Sequence, residues 1–241
     1  MSIELKEQSL LKLLSPNKTT AIKFIAKKLF VSEPTARRYV NKLAKKDIVI
    51  RTHGGCMPSA TVFDNNTPIY IRYASETNEK KLIAKKATEL IKDNMTVFLD
   101  SSSTTFEMVP FIRLKNNITV ITSSIKTAMA LSELNVKTAC LGGFINTHNL
   151  SLNSSTALSI ISDFNADIFF FSCDGLSSNG ELTDNSYEES ILRKEFMKYS
   201  KLKVLLIDNT KLNKKFKYNL SNLKNINMCI SNNQNDVILL K

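Results

Sequence analysis

The feature that most constrains the fold is an alternation of short apolar runs with helical patterns between residues 79 and 241. A helical pattern over residues 79–92 precedes an apolar run at 97–99. Further strands are expected at 118–121, 136–141, 168–172, 204–207, 226–230 and 237–240, and further helices at 125–134, 155–163 and 187–199. This alternation predicts an α/β domain with a largely parallel sheet.

Polar or glycine-containing loops follow five of these strands. In open α/β sheets, ligands bind outside the carboxyl ends of the strands, and hydroxyl and backbone N–H groups there suit a phosphate. The pattern therefore predicts a polar-ligand site, with Lys211 as the charge partner of a phosphate or carboxylate. Its candidate residues are Asp100, Ser101, Ser102, Ser103, Thr104, Thr105, Thr122, Ser123, Ser124, Gly142, Gly143, Asp174, Gly175 and Lys211.

Each of these residues also has a local structural explanation. Ser103 or Thr104 can cap the helix that follows, Asp100 can orient its loop, and the Asp-Gly pair at 174–175 can form an ordinary turn. The clustering of the loops favours the ligand site. Arg193, on the helix at 187–199, is expected to be a surface cation.

The net charge is concentrated at the start of the sequence. Of the total of +11, residues 1–57 hold +8 and residues 58–241 hold +3. A small basic module beside a nearly balanced one predicts contact with a polyanion, with nucleic acid favoured over a membrane. No apolar run approaches the roughly 20 residues of a membrane span. The first residues lack a secretory pattern, so the expected compartment is the cytoplasm.

The basic segment contains a helix-turn-helix pattern. Apolar residues at 22, 25, 26 and 29 predict a short helix, and Ser32 and Pro34 mark the start of a second one. Leucines at 10, 13 and 14 supply a preceding helix. Arginine and asparagine side chains match guanine and adenine edges in the major groove. The DNA-facing candidates on the second helix are Ser32, Thr35, Arg37, Arg38, Asn41, Lys42 and Lys45.

A β-prone run over residues 48–52 then ends at two glycines, which permit a tight turn. This pattern predicts a wing in which Arg51 and Gly54 lie against DNA. His53 either contacts a phosphate or the minor groove, or is simply a surface residue.

Segments 31–38 and 51–55 together resemble the DNA-binding domain of DeoR-type transcriptional regulators. The family pattern runs Val-Ser-Glu-x-Thr-x-Arg-Arg-Asp and then Arg-x-His-Gly-Gly. The resemblance implies a winged helix-turn-helix. Tyr39 departs from the pattern, because the family usually has Asp there, and this departure implies a different base preference if the acid normally orients an arginine.

The larger domain resembles the effector domain of the same family, which is similar to the ribose-phosphate isomerase and CoA transferase type of fold. The resemblance implies a sensor for a phosphorylated sugar or related metabolite, in which Lys80 joins the effector site. It also implies a homodimer or homotetramer. The matching segments are 78–80, 100–105, 122–124, 142–143, 174–175, Gly180, Glu189 and 208–211.

Three positions of this domain depart from the family pattern. Ser102 stands where Gly is preferred, Ser123 where Asn is preferred, and Ser154 or Ser155 where Gly is expected. If Gly at position 102 lets the backbone approach a phosphate, a serine narrows the site.

The predicted division is a winged helix-turn-helix at 1–57, a linker at 58–78 and an effector domain at 79–241. The leading hypothesis is a DNA-binding repressor of an operon for sugar uptake or breakdown, released by a phosphorylated sugar. The alternatives are a sugar-phosphate isomerase or acyl transferase with an accessory DNA-binding domain, and a purely structural nucleic-acid-binding protein. No catalytic residue, cofactor or metal site is expected, because the sequence shows no activated nucleophile, no Cys-x-x-Cys pair and only two histidines.

Overall fold

The computed structural model divides the chain into two compact units, Met1–Ser75 and Glu76–Lys241. It describes residues 6, 9–11, 13–14, 18–45, 48–59, 69–74, 77–232 and 237–239. Within those ranges, no helix is long and apolar enough to cross a membrane.

The first unit is a winged helix-turn-helix, as predicted. Helix α1 spans Ile22–Leu29 and helix α2 spans Glu33–Ala44. The wing is the antiparallel pair β2 (Val49–Thr52) and β3 (Gly55–Pro58), and the short strand β1 (Thr20–Ala21) pairs with the other edge of β3.

Two local features set the angle between α1 and α2. Phe30 adopts the left-handed conformation (φ 53°) and ends α1. Ser32 caps α2 by accepting a hydrogen bond from the Thr35 N–H at 3.4 Å, and a proline lies in the first turn. The helices then pack around Ile25, Ala36 and other apolar residues, among them Leu10.

The segment expected to be a linker, 58–78, contains a helix, α3 (Ile69–Ala74), which belongs to the first unit. Residues 60–68 and 75–76 lie outside the described residues. The boundaries of the three-part division stay a prediction.

The second unit is an α/β domain, as predicted. Its helices are α4 (Thr77–Thr88), α5 (Ser103–Phe106), α6 (Val109–Ile112), α7 (Ile125–Glu133), α8 (Ser155–Ile161) and α9 (Tyr187–Lys198). Its strands are β4 (Thr96–Leu99), β5 (Thr119–Thr122), β6 (Lys137–Cys140), β7 (Ile145–Asn146), β8 (Ser151–Leu152), β9 (Ala166–Phe171), β10 (Gly175–Leu176), β11 (Glu181–Asp184), β12 (Ser200–Ile207), β13 (Tyr218–Asn222), β14 (Met228–Ser231) and β15 (Val237–Leu239).

Seven strands form the main sheet, in the order β15-β14-β12-β9-β4-β5-β6. All neighbours are parallel except β15, which pairs antiparallel with β14. The carboxyl ends of β12, β9, β4, β5 and β6 therefore lie at one edge, which we call the carboxyl edge.

Alternate residues of the strands point to opposite faces of the sheet, and each face has its own core. On one face Phe98, Phe169 and Phe171 pack with Phe196 of α9. On the other face Leu99 and other aliphatic residues pack with α4, α6 and α7. Both faces are covered, which explains the nearly continuous apolar runs in the sequence.

Candidate functional site

The outer face of α2 is a row of exposed polar and basic side chains. Ala36, Tyr39, Val40 and Leu43 are buried in the unit's core. The opposite side exposes Arg37, Arg38, Asn41, Lys42 and Lys45, while Ser32 is exposed at the cap and Thr35 is half-buried. The exposed face of α2 therefore has the composition of a recognition helix.

The wing lies beside this face. Arg37 and Asn41 of α2 and Arg51 and Thr52 of β2 line one cleft. An ion pair of 3.8 Å between Arg37 and Glu33 is exposed, so it leaves Arg37 available to a stronger anionic partner. The cleft thus places two guanidinium groups and an amide within reach of one stretch of nucleic acid.

Three further wing and helix positions have clear structural roles. Gly54 adopts φ +84° in the turn, and His53 beside it is exposed. The Arg38 guanidinium lies 5.9 Å from the Tyr39 ring centroid, and Tyr39 is buried. An aromatic ring therefore lies beside Arg38 at the position where the family pattern has an acid.

At the carboxyl edge, the Asp100 carboxylate organises the loop after β4. Its Oδ1 accepts hydrogen bonds from the Ser102 N–H (3.0 Å) and the Thr105 hydroxyl (2.8 Å). Its Oδ2 accepts from the Ser172 N–H (3.0 Å) and Arg193 Nε (2.9 Å). Burial opposes ionisation, but Arg193 and these hydrogen bonds hold the pKa of Asp100 below its ordinary value.

The predicted cap of the next helix was wrong by one or two residues. Ser102, rather than Ser103 or Thr104, caps α5 by accepting from the Thr105 N–H at 3.2 Å. The serine that departs from the family's glycine is therefore buried and engaged in the loop itself.

The expectation that Arg193 is a surface cation is wrong. Its side chain is 7% exposed and lies among three carboxylates. Nε is 2.9 Å from Asp100, Nη1 is 2.9 Å from Asp184, and Nη2 is 3.2 Å from Glu189. On α9, Arg193 shares a buried face with Glu189 and Phe196, so the helix turns this guanidinium into the domain.

Glu189 connects the loop after β4 to the segment around β8. Its Oε2 accepts from the Ser101 hydroxyl at 2.6 Å. Its Oε1 accepts from Asn149 Nδ2 (2.6 Å), the Ser151 hydroxyl (2.6 Å) and Asn153 Nδ2 (3.0 Å). One buried carboxylate thus holds together residues that lie up to 88 positions apart in the sequence.

A second buried acid lies beside the loop after β9. Asp184 Oδ1 accepts from the Asp174 N–H at 3.1 Å, and Asp174 Oδ2 accepts from the Asn185 N–H at 2.9 Å. Burial raises the pKa of Asp184 to about 6, although the Arg193 charge acts in the opposite direction. The negative charge of Asp174 adds to the effect of burial. Gly175 is close-packed, because an added Cβ would lie 2.7 Å from the Lys214 carbonyl oxygen.

Two lysines lie near the carboxyl end of β12. Lys211 is half-buried and its Nζ donates to the Ser172 hydroxyl at 2.7 Å. Lys80 of α4 is 4% exposed. Burial opposes the ionisation of Asp208, but the charges of Lys211 and Lys80, with hydrogen bonds from Thr210, lower the pKa of Asp208. The charges of both lysines therefore act on this acid.

The loop after β5 contributes buried hydroxyls. Thr122 accepts from the Ser124 N–H at 3.1 Å, and Ser124 caps α7 by accepting from the Thr127 N–H at 3.1 Å. Two other hydroxyls, those of Thr104 and Ser123, are buried without a hydrogen-bond partner among the described residues. A buried hydroxyl without a partner is costly, so these two mark a place where a polar ligand or water belongs.

Gly142 and Gly143 follow the edge strand β6. Gly143 adopts φ +123°, and an added Cβ would lie 2.2 Å from the Ser154 hydroxyl. At about 4.8 Å between strands, β6 is about 19 Å from β12. Gly142 and Gly143 therefore follow a strand that lies four intervals from β12 in the sheet order.

Sequence reasoning missed several residues of the carboxyl edge: Asn149, Ser151, Asn153, Ser172 and Asp184. One signal was present, because Glu189, Arg193 and Met197 are spaced by four residues and share the face that Phe196 buries. The others come from loops whose paths the sequence pattern does not define. In the portions of the chain that the structure describes, no group of His, Cys, Asp or Glu residues could hold a metal ion.

A winged helix-turn-helix with a basic recognition face and, in the same chain, an α/β domain with a polar carboxyl edge define a DNA-binding regulator with a sensor domain. The family models agree in both parts. The DeoR-like helix-turn-helix domain matches residues 6–60, and the DeoR C-terminal sensor domain matches residues 75–233. The chain belongs to the DeoR family of transcriptional regulators, and it is a regulator rather than an enzyme.

Curated relatives match over most of their length. The HTH-type transcriptional regulator GolR of Listeria innocua is 28% identical over 98% of this chain and 93% of its own. The glycerol-3-phosphate regulon repressor of Escherichia coli is 28% identical over 80% of this chain and 76% of its own. The L-fucose operon activator of Haemophilus influenzae is 31% identical over 83% of this chain and 80% of its own.

Two solved structures also align with this chain. The δ subunit of eIF2B from Chaetomium thermophilum aligns with a TM-score of 0.51 at 10% identity, covering 96% of this chain and 88% of its own. Ribose 5-phosphate isomerase A from Methanocaldococcus jannaschii aligns with a TM-score of 0.44 at 19% identity, and the match spans 57% of this chain and 55% of its own.

Proposed function

We propose that this protein is a repressor of a sugar uptake or breakdown operon, and that a phosphorylated sugar bound at the carboxyl edge releases it from its operator. The observation with most weight is the pair of lysines at the end of β12. Lys80 and Lys211 come from distant parts of the sequence, and both of their charges act on Asp208. Two cations that converge on one short stretch of this edge suit an anionic ligand.

Lys211 is the proposed contact for the phosphate. Its Nζ is held at 2.7 Å by the neutral hydroxyl of Ser172, which an anion can displace or join. Asp100 has a different role in this proposal, because its two carboxylate oxygens accept hydrogen bonds from Ser102, Thr105, Ser172 and Arg193. It keeps the loop after β4 in the shape that presents the neighbouring hydroxyls to the ligand.

The proposed DNA contacts fall into two groups. Arg37, Asn41 and Arg51 line the cleft between α2 and the wing and are suited to the sugar-phosphate backbone. Arg38, on another side of α2, is proposed to read a base. Ser32, Thr35, Lys42, Lys45, His53 and Gly54 are the remaining proposed contacts.

The names of two relatives support the sugar-related role. One is the repressor of a glycerol-3-phosphate regulon and one is the activator of an L-fucose operon. The direction of control is therefore part of the proposal. A reporter gene behind the operator should be expressed more strongly when the regulator is deleted, and weaker expression would identify an activator.

We further propose a homodimer or homotetramer acting on DNA in the cytoplasm. An operator with two half-sites requires at least two recognition helices, and one chain supplies one. Sedimentation of the full-length protein with a captured operator gives the number of chains per DNA.

The first test is capture of fragmented genomic DNA by the full-length protein at near-physiological salt. The capture is done with and without a mixture of glycerol 3-phosphate, ribose 5-phosphate, glucose 6-phosphate and fructose 1,6-bisphosphate. We expect a few promoter fragments, lost when the mixture is added. Capture without sequence preference would contradict the proposal, because the phosphate term of DNA binding is blind to sequence.

The second test compares Lys211→Gln with Lys214→Gln, an exposed neighbour on the same loop. Lys211→Gln should bind the operator as the wild type does but require at least tenfold more sugar phosphate for release. Lys214→Gln should respond normally. Release of Lys211→Gln at the wild-type concentration would remove Lys211 from the effector site.

A further inference from the structure

The segment that contains β7 and β8 is built into the edge of the sensor site. We call residues 144–153 the arm. Its backbone is joined to the loop after β5, because the Leu152 N–H donates to the Ser123 carbonyl at 2.9 Å and the Ile125 N–H donates to the Leu150 carbonyl at 3.1 Å. Ser151 also forms a bridge with Ser124. The arm therefore lies beside the loop after β5, which contains the Ser123 hydroxyl without a partner among the described residues.

Glu189 fixes the other side of the arm. Three side chains of the arm, those of Asn149, Ser151 and Asn153, donate to Glu189 Oε1, while Ser101 of the loop after β4 donates to Oε2. A carboxylate that these four donors and the Arg193 guanidinium surround defines the position of each donor closely.

Asn153 is the member of the arm with an unused acceptor. Its Nδ2 donates to Glu189 at 3.0 Å, but its Oδ1 is buried without a hydrogen-bond partner among the described residues. The Thr104 and Ser123 hydroxyls share that condition, and both residues are at most 1% exposed. Three buried polar atoms without a partner among the described residues thus lie on α5, in the loop after β5 and on the arm.

We propose that Asn153, Thr104 and Ser123 form an uncharged subsite that takes hydroxyl groups of the effector, with Glu189 as the positioning residue of Asn153. The inference rests on the proposed anion site at Lys211 and names the other half of the same ligand. Hydroxyl groups donate and accept, so they satisfy the amide oxygen and both orphan hydroxyls.

The spacing of the strands agrees with a ligand that has two ends. From β12, which ends near Lys211, to β5, which ends near Ser123, there are three strand intervals, or about 14 Å between backbones. Side chains from both ends shorten this gap to the length of a phosphorylated chain of several carbons. The carboxyl end of β4, which α5 and its Thr104 follow, lies between them.

The experiment measures binding of inorganic phosphate, glycerol 3-phosphate, ribose 5-phosphate, glucose 6-phosphate and fructose 1,6-bisphosphate to the full-length protein by calorimetry. In the wild type, one of the sugar phosphates should bind more tightly than inorganic phosphate. The ratio of the two affinities, sugar phosphate over inorganic phosphate, measures the contribution of the hydroxyl subsite. Asn153→Ala should reduce the ratio about tenfold while the affinity for inorganic phosphate stays unchanged. Thr147→Ala, on the exposed part of the arm, is the matched control.

A second pair of variants tests the positioning role. Glu189→Gln removes the negative charge to which the arm side chains donate, so it should reduce the ratio of sugar phosphate to inorganic phosphate affinity. Glu188→Gln, a change at the exposed neighbour, should leave this ratio unchanged. Inorganic phosphate separates this effect from a general loss of structure, because unfolding would abolish its binding too.

The outcomes are distinguishable. If Asn153→Ala and Glu189→Gln keep the wild-type ratio, the hydroxyl subsite is wrong while the anion site stands. If the wild type binds neither inorganic phosphate nor any sugar phosphate, the proposed anion site fails and the subsite fails with it. A selective loss of sugar phosphate binding in both variants, with normal controls, is the result expected.

Discussion

Replacing Arg193 by methionine should destabilise the sensor domain severely. Methionine retains the length and much of the volume of the side chain but removes the cation that Asp100, Asp184 and Glu189 share at 2.9, 2.9 and 3.2 Å. Breaking a buried ion pair by removing one partner costs about 3–5 kcal/mol, because the remaining charges stay buried without compensation. Small proteins are stable by only about 5–15 kcal/mol, so the variant loses a large share of its stability.

The size of this loss should depend on pH. Without Arg193, burial should raise the folded-state pKa values of Asp100 and Asp184 above their unfolded values, so the folded variant holds protons that the unfolded chain has released. The variant therefore loses stability as the pH rises through those raised pKa values. The difference from the wild type should be smaller at pH 5 than at pH 8.

Urea unfolding followed by circular dichroism at both pH values measures the difference. Lys194→Met, the exposed neighbour on α9, is the control and should change the free energy of unfolding by less than about 0.5 kcal/mol. A loss below about 1 kcal/mol for Arg193→Met, or a loss that grows at acid pH, would refute the reasoning that the guanidinium compensates three buried charges.

Three further predictions concern single residues. Arg38→Ala should weaken operator binding by about 1–3 kcal/mol and relax the preference at one base pair, as measured by fluorescence anisotropy with base-substituted operators; unchanged preference would remove it from base reading. Gly55→Ala should destabilise the first unit in thermal unfolding more than Gly54→Ala does. A Cβ at position 55 would lie 2.4 Å from the Thr20 carbonyl oxygen, whereas a Cβ at position 54 would meet no atom within 4 Å, and only the φ of +84° opposes that change. Asp184→Asn should make the free energy of unfolding rise more steeply with pH between about 4 and 6. In the wild type, the folded protein keeps the Asp184 proton up to its pKa of about 6, whereas the unfolded chain releases it at the ordinary value of 3.8, so this group lowers the stability of the wild type as the pH rises. An unchanged slope in urea titrations would contradict the raised pKa.

Local patterns in the sequence determined the secondary structure and the class of the protein. Three of these patterns each involve only a few neighbouring residues: the Ser32 cap, the apolar spacing of α1 and α2, and the glycines of the wing. They can therefore be recognised in the sequence without knowledge of the fold. The alternation of apolar runs and helices likewise predicted the parallel sheet, and a parallel sheet places its strand ends at one edge. The sequence therefore located the carboxyl edge correctly.

The use of each polar residue at that edge was decided by the tertiary structure. Glu189 has the same local sequence signal as many surface acids, yet it accepts from side chains of the loop after β4 and of the arm. Arg193 is a cation on an amphipathic helix. Its burial is favourable because Asp100, which follows β4, and Asp184, at the end of β11, form ion pairs with it. The stability of a buried charge depends on partners that are distant in sequence, and the position of those partners is set by packing of the whole domain. Sequence patterns therefore determined which elements form and at which edge of the sheet the polar loops gather, whereas the fold decided which polar residues of that edge bind one another.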